Sequence, residues 1–324
     1  MRAVRAVEFG GPEVLVPERF PDPEPGPGEV AVAVEAANVI HLDTLIRAGV
    51  AGDSFPVTPP YVPGGSVVGR VRDVGPGSDP AWAGVAVLAR TGHQGGYAER
   101  IVVPEDALLR VPEGLGHHEA LALLIDGATA MLLEHAARFR PDTWVLVLAA
   151  AGGAGGLIVQ LARLAGARVI GAASTPGKRE TAHSVGATAT VDYTTPDWRE
   201  RVLGITGGAG VDVVVDGAGG TLGESSFDLV ATGGRFIGYG TAGGSFAEVD
   251  RDEAARRGVT VLDLMDLQEQ EGLSRVDLAR LALEEGREGR LRPHVGMTLP
   301  LERAAEAHRA LAERRVVGKV FLVP

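Results

Sequence analysis

The segment from Thr143 to Asp192 narrows the choice of fold more than any other part of the chain. An apolar run, Trp144 to Ala149, gives way to small residues and to Gly152, Gly153, Gly155 and Gly156. It then resumes as Leu157, Ile158, Leu161, Ala162 and Ala165 at helical spacing. A second apolar run, Arg168 to Ala173, follows Gly166, so the order is strand, glycine turn, helix, strand, a βαβ unit of the size that takes a dinucleotide. A pyrophosphate sits on a helix N-terminus only where backbone N–H groups are free and no Cβ blocks the approach. The G-x-G-x-x-G register falls on Ala150, Gly152 and Gly155, with alanine in the first place, which makes Gly152, Gly153, Ala154 and Gly155 the candidate phosphate-binding residues. Tight packing of helix on sheet would ask for the same glycines. The second strand, arriving on time, tips the reading toward a cofactor.

The end of that second strand selects among cofactors. A site for NAD places Asp or Glu there to bind the ribose hydroxyls. Here the positions hold Ala172, Ala173 and Ser174, and Lys178 and Arg179 follow within a helical turn, where they would face a 2′-phosphate. The expected cofactor is NADPH, with Ser174 and Lys178 at its adenosine end.

The alternation continues past this unit, with strands expected at Ala189–Tyr193, Val211–Asp216, Arg235–Tyr239 and Val259–Leu264 and helices at Trp198–Leu203 and Leu222–Ala231. That is a doubly wound parallel sheet. Residues before about 120 read differently, as short strands broken by Gly and Pro: Val4–Phe9, Glu29–Ala36, Ser66–Val74, Val85–Ala89 and Tyr97–Val103, with the stiff connection PDPEPGP at Pro21–Pro27. They predict an antiparallel β-rich domain. Glu119–Arg138 reads as a helical bridge interrupted near Gly127, Leu273–Glu285 and Leu301–Arg314 as amphipathic helices, and Gly318–Val323 as a last strand. The net charge of −11 disfavours nucleic-acid partners, and the absence of cysteine rules out disulfides and thiolate metal sites. With no run of about 18 apolar residues and no apolar leader, the default expectation is a cytoplasmic protein without a membrane partner.

The motifs EFGGPEVL, GPGEV, LDTLIRAG, VPGG, GGYAER, AAAGGAGG and GKVFLVP, in this order from end to end, make the chain resemble the zinc-independent branch of the medium-chain dehydrogenase/reductase superfamily, in particular quinone oxidoreductases of the zeta-crystallin type. The resemblance implies an α/β fold in which a doubly wound Rossmann sheet, residues 122–265, is inserted in a GroES-like β-rich catalytic domain, residues 1–121 completed by 266–324. It also implies a homodimer. It implies that Lys178 and Tyr193 hold the 2′-phosphate, that Thr129, Ala218, Tyr239 and Gly240 lie along the nicotinamide half, and that Lys319 falls near the phosphates. Zinc-dependent relatives carry ligands where this chain has Ile40, Gly65 and Ser66, so no metal site is expected.

Without a Lewis acid, the expected chemistry is hydride transfer from the nicotinamide to a quinone or to the β-carbon of an α,β-unsaturated carbonyl. His41 is the first candidate for an oxyanion donor or phosphate contact, Asp43 lies in the same loop, and Tyr61 and His93 come from neighbouring loops; a supporting role for each is the competing reading. His117 and His118 read as a surface pair at a helix entry, and His308 carries no functional reading. Quinone-reducing relatives often have asparagine where Ile40 stands and tyrosine where Leu45 stands, which leaves an apolar pocket here and admits an enone or an enoyl thioester. The rival readings are therefore an enoyl-thioester reductase of secondary metabolism and an NADPH-binding protein without turnover.

Overall fold

The computed structural model describes residues 1–324 apart from 53–54, 265 and 268–273. The described chain divides into two compact units, Met1–Ile125 with His294–Pro324, and Asp126–Pro293. The returning segment thus begins near residue 294 and not at 266. Helix Arg275–Arg287 packs on helix Ala128–Ala137, which keeps it with the second unit. The expected boundary at residue 265, and the expected start of that helix at Leu273, lie outside the described residues.

In the second unit the six strands are all parallel, in the spatial order Ala189–Asp192, Arg168–Ala173, Trp144–Leu148, Val211–Asp216, Val230–Gly238, Thr260–Asp263. The chain winds outward in one direction from Trp144–Leu148 and then in the other from Val211–Asp216, so the order reverses between these two central strands. Open α/β sheets bind ligands at the carboxyl ends of strands where the order reverses. Both central strands are runs of Val and Leu buried on both faces, as a covered parallel sheet requires. Helix Gly220–Phe227 ends earlier than its sequence suggests, because Val230 and Ala231 already belong to the next strand.

The first unit holds a two-stranded ribbon, Arg2–Ala6 with Leu15–Arg19, and a seven-stranded sheet in the order Val295–Pro300, Lys319–Val323, Glu29–Val39, Ser66–Val74, Ala86–Arg90, Leu108–Arg110, with Arg100–Pro104 also paired to Glu29–Val39. All pairs but Val295–Pro300 with Lys319–Val323 are antiparallel. Strand Lys319–Val323 therefore lies inside the sheet and not at its edge. Elements that went unread in the sequence include strands Leu15–Arg19, Leu108–Arg110 and Val295–Pro300, helix Arg251–Arg257, and helix His41–Ala48, which ends on Gly49 at φ 75°. The helical bridge is not broken near Gly127; His117–Ala122 passes through a π turn, Leu123–Gly127, into Ala128–Ala137. This stretch is long and apolar enough to cross a membrane, but 67% of its most apolar window is buried inside the protein, as in a core helix.

Candidate active site

In the second unit, strand Trp144–Leu148 turns at Ala149, φ 55°, into helix Gly153–Leu164, whose N-cap Gly152 is exposed. The first intrahelical bond runs from Gly156 N–H to the Gly152 carbonyl at 2.9 Å, so the N–H groups of Gly153, Ala154 and Gly155 precede it and face the helix entrance. Gly155 is fixed by contact: a Cβ there would stand 2.3 Å from the Ala149 carbonyl oxygen. The loop therefore has the donors and the bare backbone that a pyrophosphate needs, at the carboxyl end of a central strand. Packing and cofactor binding, the two readings of these glycines, are served by different residues: Gly155 packs, and Gly152 leaves the approach open.

Ser174 is half-buried at the end of strand Arg168–Ala173, and Thr175 caps helix Pro176–Ser184 by accepting from the Lys178 N–H at 3.3 Å. Lys178 is half-buried on the first turn. Arg179, expected to add to its charge, is instead paired with Asp192 at 2.5 Å on the neighbouring strand. Hydrogen bonds from Thr194, together with Arg179, hold the Asp192 carboxyl below the usual carboxylate range. Tyr193, next in the chain, is half-buried against the apolar core of this unit.

The second central strand ends in a polar turn that the sequence did not reveal. Asp216 is fully buried, and its Oδ1 accepts from the N–H groups of Ala218 at 2.8 Å and Gly219 at 2.9 Å, while burial pushes its carboxyl up. The Asp216 carbonyl in turn accepts from Tyr239 N–H at 2.9 Å and Gly240 N–H at 3.2 Å. A Cβ on Gly240 would meet the Gly217 carbonyl oxygen at 2.1 Å, so the two strand ends touch through backbone alone. Ala218, Tyr239 and Gly240 are thus brought together around Asp216. Burial pushes the Tyr239 phenol up, and Asp126 and Asp216 act the same way. Thr129, half-buried, stands just beyond the π turn that contains Asp126.

In the first unit, His41 opens helix His41–Ala48 and is half-buried; burial, and then Arg314, lower its pKa. Asp43 does not share that exposure. Only 2% exposed, it accepts from Ile40 N–H at 2.9 Å and from the Tyr97 hydroxyl at 3.2 Å through Oδ2, and burial pushes its carboxyl up to about 6. Expected among the catalytic groups, Asp43 is placed by its burial as the pin of the helix start beneath His41. The Tyr97 hydroxyl also meets His308 Nε2 at 2.9 Å, and burial drives His308 down to about 3. Arg47, 5% exposed, and Tyr61, 6% exposed with its phenol pushed up to about 12 by burial and by Asp43, complete a buried polar cluster. Sequence reading missed Tyr97, Arg47 and His308, because nothing in their spacing marks residues 43, 97 and 308 as neighbours.

His93 stands apart from that cluster at φ 83°, its ring edge-on to Phe55 at 5.1 Å, and burial and Arg90 lower its pKa. Its loop packs on Pro63–Gly65. Lys319, expected either near phosphates or on the surface, is 4% exposed, with its charge felt by Asp43.

Residues 26–113 match the alcohol dehydrogenase GroES-like domain, and residues 185–322 match the zinc-binding dehydrogenase family. A 2-haloacrylate reductase from a Burkholderia species is 34% identical over 97% of this chain and 96% of its own length. A quinone oxidoreductase from Pseudomonas aeruginosa is 32% identical over 100% and 99%. Among solved structures, the Escherichia coli quinone oxidoreductase complexed with NADPH superposes with a TM-score of 0.89 at 28% identity, and one described as an NAD-dependent alcohol dehydrogenase with 0.86 at 37%, each over 100% of both chains. The chain belongs to the quinone oxidoreductase family of medium-chain dehydrogenases/reductases. Within this family its fold is the α/β arrangement expected from the sequence, a parallel Rossmann sheet carried by a GroES-like unit. One matching family is described as zinc-binding; of the residues expected at the ligand positions, Ile40, Gly65 and Ser66, Ser66 is 2% exposed. Among the described residues no group of three or more His, Asp or Glu is placed to hold a metal.

Proposed function

We propose that this protein is an NADPH-dependent oxidoreductase that reduces a quinone or an α,β-unsaturated carbonyl compound without zinc. The observation that carries the cofactor half is the end of strand Arg168–Ala173, where Ser174 stands in place of an acid and Lys178 follows on the first turn of the next helix. An acid at residue 174 would repel a 2′-phosphate, whereas an ammonium at 178 attracts it. NADPH, when bound, supplies a hydride from its nicotinamide; the remaining tasks belong to the chain.

Those tasks are to hold the diphosphate, to position the nicotinamide end and to stabilise charge on the acceptor oxygen. The N–H groups of Gly153, Ala154 and Gly155 serve the first. Ala218, Tyr239 and Gly240, ordered by Asp216, with Thr129, serve the second. For the third, His41 is the leading candidate: with its pKa lowered by burial it is neutral at pH 7, and a neutral imidazole donates a hydrogen bond without adding charge. Asp43 positions His41 through the Ile40 N–H and touches no acceptor itself. Tyr61 and His93 remain candidates for a contact to the acceptor, Lys319 for the phosphate end.

The acceptor is better read as an activated alkene than as a quinone. Ile40 and Leu45, both half-buried, are apolar where quinone-reducing relatives often carry asparagine and tyrosine, and the Burkholderia relative is named for reduction of a 2-haloacrylate, an electron-poor alkene. An enoyl thioester belongs to the same class of acceptor. The working form is read as a cytoplasmic homodimer, supported by the family and by strand Thr260–Asp263, which ends the sheet with one side unpaired among the described residues. The test is turnover of NADPH and NADH with 1,4-benzoquinone, a simple enone, crotonyl thioester and 2-chloroacrylate, in wild type and in Lys178→Ala. The expected result is oxidation of NADPH by at least one alkene, and a drop of about 10–100-fold in kcat/KM for NADPH in the variant with little change for NADH. Tight NADPH binding without oxidation by any acceptor would favour the non-catalytic reading, and equal losses for both nucleotides would sink the assignment of Lys178.

A further inference from the structure

Opposite the glycine loop, at the amino ends of the strands of the second unit, a cavity of about 500 Å³ is lined by Arg138, Phe139, Arg140, Thr143, Asp212, Thr232, Gly233, Gly234 and Arg235, among others. Three guanidinium groups on this wall come from three different places in the chain. Arg138 is the left-handed C-cap of helix Ala128–Ala137, φ 52°. Arg140 lies two residues on, its carbonyl held by the Thr143 hydroxyl at 2.7 Å. Arg235 follows a bulge, where pairing with the neighbouring strand jumps from Val211–Val230 to Val213–Arg235 and the residues between, Ala231–Gly234, loop toward the cavity. A Cβ on Gly234 would come within 2.7 Å of the Asp212 carbonyl oxygen, so the bulge is bare backbone by necessity.

The electrostatics of this wall are one-sided. Arg235 is half-buried; burial lowers its pKa, and the charges it feels are Arg138 and Arg140, both of which lower it further. Among the described residues no carboxylate forms an ion pair with any of the three. Asp212 also lines the cavity, but its Oδ2 accepts from the Trp144 N–H at 2.7 Å. The C-terminus of helix Ala128–Ala137 offers partial compensation, with Arg235 Nη1 at 3.5 Å from the Ala136 carbonyl. A helix end carries roughly half a negative charge and the Asp212 carboxylate one more, against three cations. This local excess stands on a protein whose net charge is −11, so a general basic character does not explain it.

We propose that this cavity binds a multiply charged phosphate-class anion, such as a diphosphate group. Three guanidinia with planar forks suit phosphate oxygens, and the Gly233–Gly234 backbone lets such a group approach closely. The site is separate from the glycine loop: strand Trp144–Leu148 lies between them, with the cavity at its amino end and the loop at its carboxyl end, about 15 Å apart at the usual strand rise.

The experiment is calorimetric titration of the protein with pyrophosphate, then with inorganic phosphate and with citrate. It is run on wild type, on Lys178→Ala, which weakens anion binding at the 2′-phosphate end of the cofactor site, and on the double variant Arg138→Gln with Arg235→Gln. The expected result is saturable pyrophosphate binding that Lys178→Ala retains and that the double variant weakens at least about tenfold, with circular dichroism confirming that the variant folds. Arg235→Lys, which keeps the charge but loses the fork, should fall between. NADPH oxidation by the double variant should match wild type. Absence of saturable pyrophosphate binding in Lys178→Ala, equal binding by the double variant, or citrate binding as tightly as pyrophosphate would each overturn the proposal.

Discussion

The two units handle buried charge in opposite ways. In the second, the carboxylates at the strand ends are answered locally: Asp216 Oδ1 by two N–H groups of its own turn, Asp192 by Arg179 and Thr194. In the first, a cluster drawn from distant parts of the chain retains polar atoms with no hydrogen-bond partner among the described residues: Asp43 Oδ1, Arg47 Nε and Nη1, the Tyr61 hydroxyl and His308 Nδ1. Among its described residues the second unit has one comparable atom, Asp216 Oδ2. A binding motif repeated across many proteins is satisfied within a few residues of itself, whereas a cluster assembled by tertiary packing carries strain of its own and sets the properties of the helix above it.

The largest effect expected from this contrast lies in the glycine loop. Gly155→Val places a branched side chain where even a Cβ would meet the Ala149 carbonyl oxygen at 2.3 Å, so helix and strand must separate. The expected cost is about 3 kcal/mol or more, with loss of NADPH binding, measured by urea unfolding and by fluorescence titration. Tyr97→Phe comes next. It removes the one hydroxyl shared by Asp43 and His308 and leaves both without it in a buried site, for a loss of about 1–3 kcal/mol, with the helix start beneath His41 loosened and kcat reduced more than the KM for NADPH. If Tyr97→Phe is neutral, the cluster is not the weak point it is argued to be.

A pH series sharpens the comparison further. The Asp43 carboxyl, held at about 6 against 3.8 in an unfolded chain, binds its proton more tightly when folded, so its contribution to stability falls as pH rises from about 4 to 6. His308, held at about 3 against 6.5, binds its proton less tightly when folded, so its contribution falls as pH drops from about 6.5 to 3. The two slopes oppose one another between about pH 4 and 6. Asp43→Asn removes the first and should leave stability climbing more steeply with pH over that range than in wild type, as read from urea midpoints. An unchanged slope would mean that Asp43 titrates as an ordinary surface carboxylate. The smallest effect belongs to the second unit: Arg179→Ala breaks a partly exposed ion pair and should cost about 1 kcal/mol or less.

Legibility in the sequence follows the same division. The order of strands and helices from Trp144 to Gly238 was readable because apolar periodicity and glycine position are local properties of the chain. The sequence placed the charge of Arg179 near a 2′-phosphate and could not show its pairing with Asp192, because Asp192 belongs to a neighbouring strand and pairing between strands is not local. Helix His41–Ala48 went unseen because it is eight residues long and its ends are set by the Asp43 side chain on the Ile40 N–H and by Gly49 rather than by a long amphipathic stripe. The segment 275–287 was assigned to the wrong unit for a similar reason: its amphipathic pattern shows that it packs, and not upon which surface.

By itself, then, the sequence determined a glycine turn between two buried strands, the absence of an acid after the second, and the absence of cysteine. Each is a statement about which side chains are present or missing along the chain. Tertiary structure alone decided that Asp43 is buried and pins a helix, that Lys319 is enclosed within a sheet, that Tyr97 joins Asp43 to His308, and that three arginines meet at the far end of the Rossmann sheet. Burial and charge–charge proximity depend on distances between residues far apart in the chain, and those distances exist only once the sheets have formed.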